Sequence, residues 1–421
     1  MSKNDVTTVK GAPIHGQDVF PGGENIGEEE KRAVVEVIES KSLFRYYGLN
    51  LLNKVKEFEQ EFAKTMGVKY ALGVSSGTGA LYVAMNALGI GPGDEVIVPG
   101  YTFIASMEVI PAVKAIPVIC DINESLNLDP EEFERRITPR TKAVVVVHMR
   151  GIPADMDPIL EIARRHNIKV LEDCAQATGA SYKGKRVGSM GDIAAFSLQY
   201  HKIITSGEGG VVATNDFDLY KRAIRFHDHG YMRFEEYGSE EQVNEPLYLG
   251  LNFRMSELVG ALALAQLRKL DSILTALRRN KAKIMDGIRD IRGITFRKIP
   301  DPSGEAGSTI VFFTDSAEKT ARFAEMLNAK KVAAFIPYYS GPHVYAHWRQ
   351  LLEKAVIHNT VKCPFEGCPH NKSDVKYEVG MLPKTDDILK RAIHIDVSPF
   401  LTDEAADQII SAIRSTAEAV L

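Results

Sequence analysis

The feature that most restricts this chain is the alternation, between residues 70 and 215, of short apolar runs with helical patterns. "YALGV" at 70–74, "EVIVPG" at 95–100, "AIPVICDI" at 115–122, "AVVVVHM" at 143–149 and "KVLEDC" at 169–174 have the composition of strands, and "AAFSLQ" and "GGVVATN" add two more. Helix-like stretches such as "GALYVAMNALGI" and "DPILEIARRHNI" fall between them. That order predicts an α/β protein with a largely parallel sheet, since parallel strands need crossover connections. The unbroken "AVVVV" fits a strand covered on both faces. Upstream, "KVKEFEQEFAKTM" sets Val55, Phe58 and Phe62 at helical spacing with charges between them, the pattern of an amphipathic helix.

At 421 residues the chain exceeds the usual size of one hydrophobic core, so two domains are expected. From Met255 to about Ile291 runs a proline-free helical pattern that fits one long helix or two in sequence. Shorter mixed elements follow, including "STIVFFT" and the helix-like "SAEKTARFAEMLNA". A boundary near residue 275 divides a large domain with an N-terminal arm (1–275) from a smaller C-terminal domain (276–421).

A composition of 45% hydrophobic and 25% charged residues is that of an ordinary soluble protein. The net charge of −4 and pI near 6.3 give no footprint for nucleic acid or an anionic membrane, which favours small-molecule partners. No apolar run reaches transmembrane length, and the opening residues lack the regions of a signal peptide, so a cytoplasmic protein is expected. Four cysteines are too few for a disulfide scaffold in a chain this long. Cys363, Cys368 and His370 in "CPFEGCPH" are the one cluster suggestive of a metal, but no second ligand pair accompanies them, and they read as loop residues with no metal bound.

Three segments could carry chemistry. "GVSSGTGALYVAM" passes from a strand through small residues into a helix, a place where exposed N–H groups favour a phosphate, though a tight structural turn reads the same. "LEDCAQATGA" puts Glu172 and Asp173 at a strand end, where an acid either caps the next helix or holds a cationic ligand group. "SLQYHKIITSGEGG" carries Lys202 in a partly apolar setting, which would free its amine for nucleophilic work, against the ordinary reading of a solvated lysine. A phosphate seat, a strand-end acid and an isolated lysine are together what a pyridoxal phosphate enzyme requires.

With "SSGTGAL", "VPGYTFIAS", "HMRGIPADM", "LEDCAQATGA", "GDIAAFSLQYHKIITSGEGG" and "LNFRMSEL" in that order, the chain from about Gly22 to Val397 resembles the DegT/DnrJ/EryC1/StrS sugar aminotransferases. The resemblance implies fold type I, with a large domain around a mostly parallel sheet and a smaller C-terminal α/β domain, and pyridoxal 5'-phosphate as cofactor. It implies that Lys202 forms the Schiff base, that Asp173 pairs with the pyridine nitrogen, that Gln176 lies near the phenolic oxygen and that Phe103 stacks on the ring. Thr78, Gly79 and Ser197 match phosphate-binding positions. Asn252 matches an asparagine that reaches the phosphate of the neighbouring subunit, which implies a homodimer with shared active sites. Amino transfer from L-glutamate or L-glutamine to a keto sugar, keto-cyclitol or oxo sugar acid follows, by a ping-pong mechanism.

Relatives that act as sugar dehydratases carry histidine at the lysine position. Here histidine stands at 201 and lysine at 202, which favours transamination over dehydration and over a noncatalytic cofactor- or sugar-binding relative. "FSLQ" before "TSGEGG" is similar to the branch of glutamine:scyllo-inosose aminotransferases and aminohydroxybenzoate synthases. Arg45 and Tyr47 in "LFRYYG", His201, and His343 in "YYSGPHVY" are candidate substrate contacts. Arg45 would suit an anionic acceptor such as a keto-octulosonate of lipopolysaccharide. The long stretch from Cys363 to Val397 is a candidate cover for the acceptor pocket.

Overall fold

Each of the seven apolar runs forms a strand close to its expected ends: β1 (Tyr70–Val74), β2 (Glu95–Pro99), β3 (Ile116–Cys120), β4 (Thr141–Val147), β5 (Lys169–Asp173), β6 (Ile193–Ser197) and β7 (Gly210–Thr214). They form one sheet in the order β1-β7-β6-β5-β4-β2-β3. All strands run parallel except β7, which pairs antiparallel with both of its neighbours. This is a computed structural model, and it describes residues 21–232, 248–357, 362–371 and 373–421; the opening segment read for a signal peptide lies outside these.

The expected amphipathic helix is α1 (Lys54–Met66), which buries Val55, Phe58, Phe62 and Met66 and stops at Gly67, whose φ of 70° only glycine adopts cheaply. Phe62 meets Phe196 of β6 edge-on with ring centroids 4.9 Å apart. Truncating a ring buried this way typically costs about 3–5 kcal/mol. Two further helices follow strands: α2 (Gly77–Ala87) after β1 and α3 (Ala105–Ala112) after β2.

The long helical run is two helices, α4 (Glu257–Leu267) and α5 (Leu270–Ile288), so the boundary expected at residue 275 falls inside α5. Beyond it lies a second, antiparallel sheet of β8 (Thr295–Phe296), β9 (Thr309–Phe313), β10 (Ala334–Phe335) and β11 (Ala392–Asp396), in the order β8-β9-β11-β10. Helices α6 (Ala317–Ala329) and α7 (Asp403–Val420) accompany this sheet. One apolar core runs through both halves, joining Phe62 and Phe196 to Leu277, Phe312 and Ile413. Among the described residues, no helix is long and apolar enough to cross a membrane.

Candidate active site

The carboxyl ends of β4, β5 and β6 open into a pocket of about 710 Å³, the place where open α/β sheets bind ligands. Lys202 lies on the loop from β6 to β7 and lines this pocket. The loop is closed by Leu198 N–H on the Gly209 carbonyl (2.9 Å) and Ser206 N–H on the Leu198 carbonyl (2.9 Å). Thr205 Oγ1 donates to the Leu198 carbonyl and accepts from Gly207 N–H, both at 2.9 Å, and Gly207 takes a φ of 80°. The run "TSGEGG" is therefore the chemistry of a tight turn. Burial pushes the Lys202 amine below the ordinary lysine range; the Arg150 charge adds to this, and the Asp173 and Glu208 carboxylates oppose it.

Glu172 and Asp173 are neighbours on β5, and successive strand residues face opposite sides of a sheet. Asp173 lines the pocket, 4% exposed. Its Oδ2 accepts from Ser106 Oγ at 2.7 Å and its Oδ1 from Ala175 N–H at 3.0 Å. Glu172, fully buried, accepts from the amides of Gly188 (2.8 Å), Met190 (2.8 Å) and Gly191 (2.5 Å). His148 Nδ1 accepts from Ala154 N–H, so its Nε2 carries the proton and donates to Glu172 Oε2 at 3.0 Å. Burial raises the Glu172 pKa, but the His148 and amide hydrogen bonds outweigh it and hold the carboxyl below its usual range. With both carboxylate oxygens occupied, Glu172 ties strand to loop, and its neighbours His148 and Cys174 do not form an open metal site.

The helix-start reading of "SSGTGAL" is also met. Ser76 caps α2, its Oγ accepting from Gly79 N–H at 2.9 Å, and Gly77 and Thr78 line the pocket beside Ser197. A Cβ on Gly77 would stand 2.6 Å from Ser197 Cβ, and one on Gly210 would stand 2.3 Å from the Ser76 carbonyl oxygen. Glycine at both positions lets the start of α2 close onto the end of β6.

Of the other expected residues, Phe103, Gln176, His201 and His343 line the same pocket. Phe103 packs against His343 with centroids 5.3 Å apart. Gln176 Oε1 accepts from Arg150 N–H at 3.1 Å. His201 is exposed, and its N–H donates to Gln199 Oε1 at 2.9 Å. Asn252 is exposed outside the pocket wall, bridged to Asp228, with its Oδ1 accepting from Arg254 N–H at 3.2 Å.

Two expected substrate contacts lie elsewhere. Arg45 is 3% exposed, and its Nη2 donates to both Glu59 oxygens at 2.9 Å while Nη1 donates to the Gly73 carbonyl at 3.2 Å. A guanidinium forked onto a buried carboxylate in this way serves to hold the N-terminal segment to α1 and β1 and is not offered to a ligand in the pocket. Tyr47 is 68% exposed and does not line the pocket. The stretch after Cys363 is also not a cover: Ser373 Oγ donates to Glu95 and Tyr377 Oη to the Pro117 carbonyl, at the starts of β2 and β3. Those are the strand ends opposite the pocket, and of the described residues of this stretch only Asp396 lines the cavity. Cys363 and Cys368 have free thiols 2.8 Å apart in a loop, and His370 is exposed.

The sequence reading passed over Ser106, Thr102, Arg150, Ser308, Thr309 and Asp396, which also line the pocket. Thr102 and Ser106 stand four residues apart and their hydroxyls meet at 2.7 Å, a spacing legible within "YTFIAS". Ser308, Thr309 and Asp396 come from the second sheet, and no local pattern points to them.

The donor set fits pyridoxal phosphate: backbone N–H groups and hydroxyls at one wall for an anion, a buried carboxylate for a protonated ring nitrogen, and a lysine of lowered basicity for an aldehyde. Fold and pocket together define a pyridoxal phosphate enzyme of fold type I. The chain belongs to the DegT/DnrJ/EryC1/StrS aminotransferase family, whose sequence profile matches residues 24–368. It is 47% identical to the GDP-perosamine synthase of Caulobacter vibrioides over 226 residues, which is 53% of this chain and 59% of that one. Over 396 residues, 92% of this chain and 94% of the relative, it is 33% identical to the spore coat polysaccharide biosynthesis protein SpsC of Bacillus subtilis. An L-glutamine:2-deoxy-scyllo-inosose aminotransferase of Micromonospora echinospora is 34% identical over 355 residues, 83% of this chain and 82% of that one. The solved aminotransferase of Psychrobacter cryohalolentis superposes with a TM-score of 0.80 at 30% identity, covering 95% of this chain and 99% of that one.

Proposed function

We propose that this chain moves an amino group from L-glutamate or L-glutamine to the carbonyl of a keto sugar or keto-cyclitol, in two half-reactions at one pocket. The observation that carries this reading is the convergence of Lys202, Asp173 and the start of α2 on a single cavity at the strand ends. Pyridoxal phosphate, when bound there, supplies an electron sink and a carrier for the amino group. Thr78 and Ser197 would hold its phosphate and Phe103 would lie against its ring; Gly79, expected at the phosphate, does not line the pocket and gives its N–H to Ser76 Oγ. Gln176, whose Oε1 is occupied by Arg150 N–H, keeps its Nε2 to donate to an oxygen of the cofactor.

Asp173 enters as a carboxylate already oriented by Ser106 and Ala175, so no reorganisation is needed to hold a ring N–H in place. Lys202 would hold the cofactor's aldehyde and, as a free amine, would take the proton from the donor's α-carbon. Its burial suits this, because a lowered pKa leaves more of the amine neutral at a given pH. The same amine returns the proton in the second half-reaction. A lysine at 202 beside Asp173 supports transamination over dehydration or simple binding.

The donor named for the scyllo-inosose relatives supports glutamine as one candidate. An oxo sugar acid such as a keto-octulosonate of lipopolysaccharide is the alternative acceptor class, and it would need a cation in the pocket. A homodimer is supported by apolar side chains left bare beside Asn252 in the chain: Leu249 is 94% exposed and Leu251 49%. The expected site of action is the cytoplasm, as befits an enzyme of sugar metabolites with this charge and composition.

The test is the absorption spectrum of the purified enzyme with its cofactor. L-glutamate or L-glutamine should bleach the cofactor band, and a keto sugar or 2-deoxy-scyllo-inosose of the correct class should restore it. A band indifferent to every amino acid would refute the aminotransferase reading; bleaching with no recovery on any ketone would refute the acceptor class.

A further inference from the structure

Arg150 is a charged side chain of the pocket with no task in the reaction so far described. Arg150 follows β4 with a φ of 56°, a left-handed conformation that is unfavourable for a residue with a Cβ. The bond from its own N–H to Gln176 Oε1 holds it there, and the side chain reaches the cavity beside Lys202, Ser308, His343 and Asp396. Its Nε is buried without a hydrogen-bond partner among the described residues, while the guanidinium meets Asp396 Oδ1 through Nη1 at a long 3.4 Å and lies beside the Tyr101 hydroxyl. The guanidinium also lies over the Phe335 ring, 4.9 Å from its centroid, which fixes its plane.

A second buried guanidinium lies close to the first. Behind Arg150 stands Arg297, 4% exposed, with Nε on the Ser125 carbonyl, Nη2 on the Met149 carbonyl and Nη1 unpartnered. Glu305, the other acid near Arg297, is bound by Lys281. Asp396 pairs with Arg150 at 3.4 Å, and the buried Tyr101 hydroxyl lies in the field of both guanidiniums and within reach of Arg150. Two histidines register the same field: burial and these arginines hold His394 well below its ordinary range, and burial with Arg150 lowers His343 to about 4. Buried charge of one sign calls for a counter-ion.

We propose that Arg150 receives the carboxylate of the amino donor, its planar fork taking the two oxygens while the donor's amine faces Lys202. This rests on the aminotransferase reading above. The donor is favoured over the acceptor because every α-amino acid carries a carboxylate one bond from the reacting carbon, whereas an inosose carries none. The pocket's guanidinium is thus Arg150 and not Arg45, which the sequence offered for an anionic acceptor.

The experiment compares wild-type holoenzyme with Arg150→Gln and Arg150→Lys. Single-turnover bleaching by L-glutamate gives the donor's dissociation constant, calorimetry gives that of glutarate, which has no amine to react, and bleaching by propylamine tests an amine without a carboxylate. Loss of a charged hydrogen-bonded pair predicts a glutamate constant raised roughly 10- to 100-fold in Arg150→Gln. Glutarate binding should fall with it, Arg150→Lys should restore part of both, and propylamine should react as with wild type. A glutamate constant within about threefold of wild type in both variants would overturn the assignment and leave the cation to an acidic acceptor. A wild-type enzyme that no amino acid bleaches would overturn the aminotransferase reading along with it.

Discussion

Replacing Asp173 by Asn separates the charge of this residue from its hydrogen bonds. In the native site Ser106 Oγ donates to Asp173 Oδ2 at 2.7 Å, so the Thr102 hydroxyl, 2.7 Å from Ser106 Oγ, must be the donor in that contact. An asparagine at this position keeps one oxygen for the Ala175 N–H and presents an NH₂ to Ser106. The serine can then accept and turn its own proton toward Thr102. The relay reverses at the expense of one acceptor for the Thr102 proton, so stability should change by only about 1 kcal/mol. Catalysis should not survive as well, because a carboxamide cannot hold the cofactor's ring nitrogen protonated. Removing a preorganised charged group at this point is expected to slow proton abstraction by roughly 3 kcal/mol, about two orders of magnitude. Asp173→Ala is the contrasting variant: it strands the Ala175 N–H and Ser106 and should lose about 1–3 kcal/mol of stability as well as activity. Urea denaturation reads the first quantity, and single-turnover bleaching at saturating donor reads the second. A stable Asp173→Asn enzyme whose single-turnover rate lies within about tenfold of wild type would refute the electrostatic role.

Four further outcomes are expected. Lys202→Ala should abolish multiple turnover, and product accumulating beyond one equivalent of enzyme would contradict its role. Gly77→Ala should push α2 away from Ser197, against which its Cβ would stand at 2.6 Å, and weaken cofactor retention in equilibrium dialysis with little change in the far-ultraviolet circular dichroism. Arg45→Ala should leave Glu59 buried without its guanidinium and cost about 3–5 kcal/mol by urea denaturation, while the folded fraction binds donor normally; weakened donor binding with unchanged stability would return Arg45 to the substrate. The last concerns pH: burial and the Arg45 charge lower His227 to about 3, and burial with Arg150 and Arg297 holds His394 well below its ordinary range. The unfolded chain, with histidines near 6.5, then binds more protons than the folded one, so stability is full above pH 6.5 and falls as pH drops below it, by up to about 1.4 kcal/mol per pH unit for each residue. A urea midpoint that stays flat from pH 7.5 to 5 would contradict this.

What could be read from the sequence is what the chain encodes locally. A strand covered on both faces must be apolar throughout, so β4 announces itself in "AVVVV", and its neighbours follow from the spacing of crossovers. Asp173 at the end of β5 and Lys202 on the loop after β6 stood out as candidates beside the small residues and glycines of their turns, and the resemblance to the family supplied the roles expected of them. Arg45 and Arg150 mark where local reading stops. Both are single arginines in short segments, and nothing within either segment says that one forks onto Glu59 of α1 while the other enters the pocket. The difference is made by an acid fourteen positions along the chain for Arg45 and by Asp396 of the second sheet for Arg150. The stretch after Cys363 fails in the same way, since its length suggested a cover and its polar groups instead bind Glu95 and the Pro117 carbonyl at the far ends of β2 and β3. A buried cation is defined by which carboxylate reaches it, and that is a property of topology. The side of this pocket proposed to face the donor is built largely from such cross-sheet meetings, while the side proposed to hold the cofactor is built from strand ends; the first kind of site needs coordinates, and the second can be argued from residues in order.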